Sequence, residues 1–382
     1  MAVALMYQQY AHNIEKGLYT CSIFLDMAKA FDSIDHTILL SKLHTYGIRG
    51  KPLSLIESYL TNRNQYTFVN GCKSTLSRVE TGVPQGSVLG PLFFLLFIND
   101  LPKTTCLETT LFADDACLSL GSSSLKELQK SVNNELRNVN RWMQNNRLSL
   151  NLDKTFYMLI HKKKYEEELE IKINNVSIQR VTETKYLGII IDHKLQWKAH
   201  IEHVSKKLAK SMWAICRIRD YADLKILNMI YYALAYPHIQ YCITTWGGAA
   251  KTHLNMLLVK QKRLLRVMLN KPFDEPSKPL FVKMEILPLD GVYRYQVGKL
   301  MFDTKNNFIK MPIKLELLED VHKYGTRSKT NLNYSVPHAR TNIGKASFSS
   351  CGPTIWNNIP LVIKNNTKVI FKREYKKYVL NS

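Results

Sequence analysis

Two adjacent carboxylates, Asp114 and Asp115, interrupt the apolar stretch LFADDACLSL (Leu111 to Leu120), and a third, Asp26, ends the apolar run YTCSIFLDM (Tyr19 to Met27). Taken alone, the first stretch reads first as an acidic hairpin tip, since acidic turns are common, and Asp26 as a helix cap or a partnered core acid. A charge at the end of a buried strand is costly unless it is paired or bound to a cation. Adjacent strand residues face opposite ways. Two usable carboxylates in succession therefore suit a turn, where the backbone can swing both toward one cation pair. Three converging carboxylates with few nitrogen or sulfur partners favour Mg²⁺, with Mn²⁺ as the substitute; such an ion keeps waters and takes substrate phosphates as further ligands. Two ions roughly 3.5–4 Å apart suit in-line phosphoryl transfer.

Two more segments fit a nucleotide substrate. VPQGS (Val83 to Ser87) can set backbone and an amide, Gln85, against an incoming nucleotide, because Gly86 permits close approach. It is also an ordinary Gly/Pro loop before a core helix. Phe31, five residues past Asp26, stands where strand turns to helix, and its ring can lie beneath a sugar or simply pack in the core.

The elements around these residues follow from periodicity. Tyr19 to Met27 predicts a buried strand, and Ser33 or Asp35 a helix cap before the stripe Ile38, Leu39, Leu43 and Tyr46, stopped by Gly47. A short helix is expected over Pro52 to Leu60, and a hairpin from Gln65–Val69 and Ser74–Glu80 around NGCK. Gly82 to Pro102 begins as a loop and becomes a very apolar helix. Leu107 to Leu120 predicts a hairpin tipped by the Asp pair, Ser122 to Asn145 an amphipathic helix, and Lys154–Ile160 and Lys185–Asp192 two strands. The order describes an α+β sheet domain over residues 1–192. Three basic helical segments follow, Ala199–Arg219, Asp223–Tyr241 and His253–Asn270, within 193–271. A Pro-containing linker, Lys271 to Pro279, opens a last region, 272–382, of short helices and loops.

Composition narrows the partners. The chain has 382 residues, 45% of them hydrophobic, enough for real cores. Its longest apolar run, PLFFLLFI (Pro91 to Ile98), is far too short to span a bilayer, so no membrane partner is expected. Seven scattered cysteines, without ligand spacing, read as reduced core thiols of an intracellular protein and not as a zinc site. The net charge of +22 is uneven: residues 1–160 carry 15 Lys+Arg against 13 Asp+Glu, and 161–382 carry 38 against 18. A near-neutral first half and a basic second half favour a polyanion, nucleic acid ahead of membrane, over a merely solvated lysine-rich surface.

Five segments, FLDMAKAFDSIDHTILLSKL, GVPQGSVLGPLFFLLFINDLP, LFADDACLSL, NRLSLNLDKTFYMLI and KYLGIIID, resemble in order and spacing the palm motifs of reverse transcriptases, above all those of non-LTR (LINE-type) retrotransposons. The resemblance covers roughly residues 18–192; the later helices, WGGA (Trp246 to Ala249) and CGPTIWNNIP (Cys351 to Pro360) resemble the thumb and C-terminal region of the same elements. It implies a right-hand polymerase palm with partial fingers, an antiparallel sheet with packed helices, followed by a basic helical thumb. Asp26 and Asp114 become the main metal ligands and Asp115 the third acid. Phe31 becomes the steric gate against ribonucleotides, Gln85 and Gly86 the dNTP contacts, and Lys154 a general acid for pyrophosphate, against its reading as a surface lysine. Tyr186, Leu187 and Gly188 become the primer grip. Lys206, Lys207, Lys210, Lys260, Lys262, Arg263 and Arg266 are then phosphate contacts of the thumb; singly each is a solvated charge. The implied partners are an RNA template, a DNA primer or RNA–DNA hybrid, and dNTPs, with work in nucleus and cytoplasm. Only 25 residues precede Asp26, where the family carries basic fingers, so the chain reads as a piece of a retrotransposon protein lacking the upstream endonuclease. Two functions are weighed: an RNA-directed DNA polymerase domain, and a catalytically defective remnant or co-opted nucleic-acid-binding protein.

Overall fold

The computed structural model describes residues 1–162, 168–321 and 331–382. They form two compact units, one of residues 17–182 and one of 3–16 with 183–382. The segments 193–271 and 272–382, expected as separate, lie in one unit, and the hairpin before residue 192 belongs with them.

The unit of residues 17–182 is built on strand β1 (Tyr19–Leu25), buried on both faces with Thr20 and Ser22 among its apolar residues. A strand with no exposed face belongs at the centre of a sheet, and β1 sits there. It runs antiparallel to β7 (Asp115–Ser122) on one side and β8 (Phe156–Ile160) on the other. β6 (Glu108–Phe112) and a short strand, Gln179–Arg180, form the edges. Helix α1 (Ala2–Glu15) precedes β1 and belongs to the other unit.

The covering helices follow from capping and stripe. Asp35 accepts from the Ile38 N–H at 3.0 Å and starts α2 (His36–Thr45). α3 (Lys51–Leu60) carries Pro52 in its first turn, where a missing N–H costs nothing. α4 (Leu89–Ile98) buries Phe93, Phe94, Phe97 and Ile98. Ser124 caps α5 (Leu125–Asn145), whose buried stripe is Leu128, Val132, Leu136, Val139 and Met143. At about 1.5–3 kcal/mol per buried aliphatic side chain, that stripe holds the helix far more firmly than its one cap.

The structure revises several expectations. The fingers-like hairpin turns at Asn70–Gly71 alone, both with positive φ, so Cys72 and Lys73 are strand residues (β4, pairing with β3, Phe68–Val69). β2 (Arg63–Gln65) and β5 (Ser77–Val79) form a separate ladder further down. Lys154 lies in a one-turn helix, Leu152–Lys154, ahead of β8 and not in it. KYLGIIID is no single strand. One short pair, β9 (Lys172–Ile173) with β10 (Val176–Ser177), precedes it, and the edge strand Gln179–Arg180 is β11. Then β12 (Glu183–Tyr186) folds back on β13 (Ile189–Asp192) through Leu187 (φ 45°) and Gly188 (φ 79°). Two consecutive positive φ angles are the two-residue hairpin turn that matches strand twist, and a leucine at the first position hid it. Of the seven cysteines, Cys21, Cys117 and Cys351 are buried as expected, but Cys72, Cys106 and Cys216 are exposed.

In the unit of residues 3–16 and 183–382, α6 (Lys198–Ile218) packs against a long helix, Lys251–Met268. α6 buries Ile201, Val204, Leu208 and Ile215 and turns Lys206, Lys207 and Lys210 outward. α7 (Leu224–Ile230) runs into a π-helical turn, Tyr231–Ala235. The 17-residue helix Leu289–Lys305 and the 14-residue helix Lys368–Asn381 are longer than the short elements expected there. No helix is long and apolar enough to cross a membrane among the described residues.

Candidate active site

Register brings the carboxylates together. The last pair of the β1–β7 ladder is Leu25 with Ala116, so the next step outward sets Asp26 beside Asp115. β6 and β7 meet at Phe112 and Asp115, with Ala113 and Asp114 as the turn. Ala113 takes φ 51°, a conformation an L-alanine adopts only where the surrounding pairing enforces it. That strained alanine tips Asp114 into the turn while leaving Asp115 as the first residue of β7.

The segment carrying Lys154 is tied to the same end of β1. The Asn151 N–H donates to the Asp26 carbonyl at 2.8 Å, and the Asp26 N–H donates to Thr155 Oγ1 at 3.3 Å. An isolated antiparallel bridge, Met27 with Leu150, continues the tie on the far side of the one-turn helix Leu152–Lys154. Lys154 itself is exposed. Thr155, buried and also donating to Asn151 O at 2.8 Å, is a positioning residue that its type alone did not reveal.

The electrostatics agree with convergence. Burial first, then the carboxylates of Asp114 and Asp26, push the Asp115 carboxyl above the usual range. Carboxylates that disfavour a neighbour's charge attract a cation, and oxygen ligands suit a hard one. Among the described residues no three His, Cys, Asp or Glu side chains are close enough to hold an ion by themselves. Mg²⁺ bound by one or two carboxylates, with water and substrate phosphate completing its shell, fits such an open set.

The loop expected to meet nucleotide is docked onto the KAFD segment. Val83 N–H donates to Phe31 O at 2.9 Å, Thr81 Oγ1 donates to Asp32 O at 3.0 Å, and Gln85 Nε2 donates to Asp32 Oδ1 at 2.8 Å. Gly82, at φ 88°, crosses Asp32 so closely that a Cβ would stand 2.8 Å from its Cα and carbonyl oxygen. Gly86 is exposed, with positive φ and open space around it. Phe31 stacks on Phe94 with centroids 4.8 Å apart, which fixes its half-buried ring. Asp32 was not among the expected residues, because its partner lies 53 residues away in the chain.

The remaining expected residues belong to the other unit. Tyr186 is buried, and Leu187–Gly188 form the β12–β13 turn. Tyr241 seats that turn: its hydroxyl donates to Leu187 O at 2.7 Å, and its ring would be 3.3 Å from a Cβ on Gly188. Among the basic residues, Lys206, Lys207, Lys210 and Arg263 are exposed and Lys262 is half-buried. Lys260 instead donates to Ser205 O at 3.0 Å, and the Arg266 guanidinium donates to Glu275 O at 2.8 and 2.9 Å. Those two are engaged within the protein.

The sequence is similar to known proteins. The family described as Reverse transcriptase (RNA-dependent DNA polymerase) matches residues 4–191. The RNA-directed DNA polymerase from mobile element jockey of Drosophila funebris is 29% identical over 276 residues, 68% of this chain and 29% of that protein. A probable RNA-directed DNA polymerase from transposon BS of Drosophila melanogaster is 28% identical over 67% of this chain and 29% of its own length. A Pol polyprotein from a type-1 retrotransposable element R1 of Nasonia vitripennis is 23% identical over 64% of this chain and 65% of itself. Among solved structures, Candida albicans telomerase with a fragment of telomeric RNA overlaps loosely (TM-score 0.43, 11% identity, 75% of this chain and 54% of that one). The chain thus spans under a third of the length of the jockey protein it matches. On these matches, residues 4–191 are a reverse transcriptase domain of the kind carried by non-LTR retrotransposons.

Proposed function

We propose that this chain is an RNA-directed DNA polymerase domain that joins dNTPs to a primer 3′-hydroxyl on an RNA template. The observation that carries the reading is the meeting of Asp26, Asp114 and Asp115 at one end of adjacent antiparallel strands, with mutual repulsion registered at Asp115. Asp26 and Asp114 would hold two Mg²⁺ ions, with Mn²⁺ as a substitute, and Asp115 would be the third acid. The bound ions would activate the 3′-hydroxyl and neutralise the leaving pyrophosphate. Lys154 would donate a proton or a positive charge to that pyrophosphate. Gln85, oriented by Asp32, and the exposed backbone at Gly86 would contact the nucleotide, and Phe31 would exclude a 2′-hydroxyl. The Leu187–Gly188 turn with Tyr186 would support the primer strand. Lys206, Lys207, Lys210, Lys262 and Arg263 would follow the phosphates of the RNA–DNA hybrid, by shape and charge and without reading sequence; Lys260 and Arg266 would brace the helices that carry them. An RNA template and a DNA primer would place this work in cytoplasm and nucleus.

The gate offers a test that separates the reading from mere nucleic-acid binding. The unaltered chain should extend an RNA-templated primer with dNTPs over rNTPs, and Phe31→Ala should cut that preference by about tenfold or more, as loss of a steric contact does. Hybrid binding with no incorporation by the unaltered chain would favour the non-catalytic remnant.

A further inference from the structure

A second nucleotide site is suggested in the unit that lacks the carboxylates. Leu224 and Asn228 of α7, Tyr232 of the π-helical turn, Lys283, Met284 and Glu285 after it in the chain, and Lys376 of the last helix line a solvent-open cavity of ≈ 390 Å³. We infer that this cavity binds one nucleotide of a single-stranded RNA, its phosphate against Lys283 and Lys376, its base beside Tyr232 with an N–H donated to Asn228.

Each wall asks for a different part of such a ligand. Two lysines face one carboxylate, Glu285, so the cavity is cationic on balance. Lys376 Nζ stands 3.5 Å from the Tyr232 hydroxyl and 5.8 Å from its ring centroid, which sets cation and aromatic side by side. Asn228 Oδ1 is buried without a hydrogen-bond partner. Buried acceptors are rarely left so, and this one lacks a donor. The turn Tyr231–Ala235 is π-helical, a local widening found mostly as single turns and often at functional sites, and Tyr232 is presented from it. An inorganic phosphate would engage the lysines and leave Asn228 and Tyr232 unused. A nucleotide engages all three, because a charged backbone and a stackable, N–H-bearing base come in one unit. The net +20 of residues 161–382 favours a strand over a free nucleotide.

The test uses the full chain and a labelled oligoadenylate carrying 8-azidoadenine, with photo-crosslinks mapped by mass spectrometry. The crosslink should fall on the segment containing Tyr232. Lys283→Glu with Lys376→Glu should weaken it about tenfold without lowering Tm; if that pair misfolds, Asn228→Leu should weaken it instead. Unlabelled oligoadenylate should compete at far lower concentration than AMP; equal competition by AMP would assign the cavity to a free nucleotide and overturn the strand. The crosslink should persist in Asp114→Ala, which keeps this site separable from polymerase activity. Crosslinks that map elsewhere, or that ignore all three substitutions, would overturn the site altogether.

Discussion

Asp115 has a carboxyl whose charge is disfavoured by burial and then by Asp114 and Asp26. A charge held where its neighbours disfavour it is a local cost of the kind that functional sites carry. Asp115→Asn should therefore raise the Tm of the metal-free chain, while removing incorporation. Added Mg²⁺ should raise the Tm of the unaltered chain, since an ion that binds only the folded state stabilises it, and should do little for Asp114→Ala, which loses a main ligand; differential scanning calorimetry reads both. Lys154→Ala should lower the single-turnover incorporation rate by about 10²-fold or more, the range for a lost general acid, and leave Tm unchanged because the side chain is exposed. By residue type alone the acids read as an acidic turn and a helix cap, and only the ordered set of motifs singled them out. The roles of Lys260 and Arg266 were not legible, because a charge on a helix gives no sign of whether its partner is a phosphate or a carbonyl from another element, here Ser205 O and Glu275 O.

Backbone conformation separates glycines that look alike in sequence. Gly82→Ala would drive a Cβ into the Asp32 backbone at 2.8 Å, and should cost at least about 2 kcal/mol in denaturant unfolding by adding a clash to positive-φ strain. Gly86→Ala has strain but no clash, and should cost only about 1 kcal/mol; a larger loss of nucleotide affinity than of stability is expected there. Tyr241→Phe removes the bond to Leu187 O, worth about 1 kcal/mol, and should raise the KM for primer with kcat held. The main sheet was readable because β1 is a short run rich in β-branched and aromatic residues and the LFADDACLSL hairpin carries its acids at the turn. The β12–β13 hairpin was not, because Leu187 occupies a position where sequence patterns look for Asn or Gly.

Charge and burial act across the chain as a whole. A net charge of +22 predicts hybrid binding whose affinity falls steeply with salt, and Lys206→Glu with Lys207→Glu should flatten that slope by about two phosphate contacts. The buried His200 ring accepts from the Ile190 N–H at 3.3 Å, and its pKa is lowered to about 4, by burial first and then by His203 and Lys207. The unfolded ring takes a proton near its ordinary 6.5 and the folded one does not. Stability is therefore full above that pH and declines as pH falls from about 6.5 toward 4, by at most about 3 kcal/mol; His200→Gln should flatten the decline in urea titrations. The uneven charge was visible in the sequence. The division into two compact units was not, since residues 3–16 join the C-terminal unit through packing partners hundreds of positions away, such as Tyr7 Oη with Ile343 O.

The central claim, that the three aspartates form a polymerase centre, is tested most directly by dTMP incorporation on poly(rA)/oligo(dT) with Mg²⁺. The unaltered chain should incorporate; Asp114→Ala should fall by about 10³-fold or more, a loss typical of removed catalytic groups. Asp153→Asn, an exposed acid one residue from Lys154, should leave the rate unchanged. Equal incorporation by Asp114→Ala, or none by the unaltered chain, would contradict the claim.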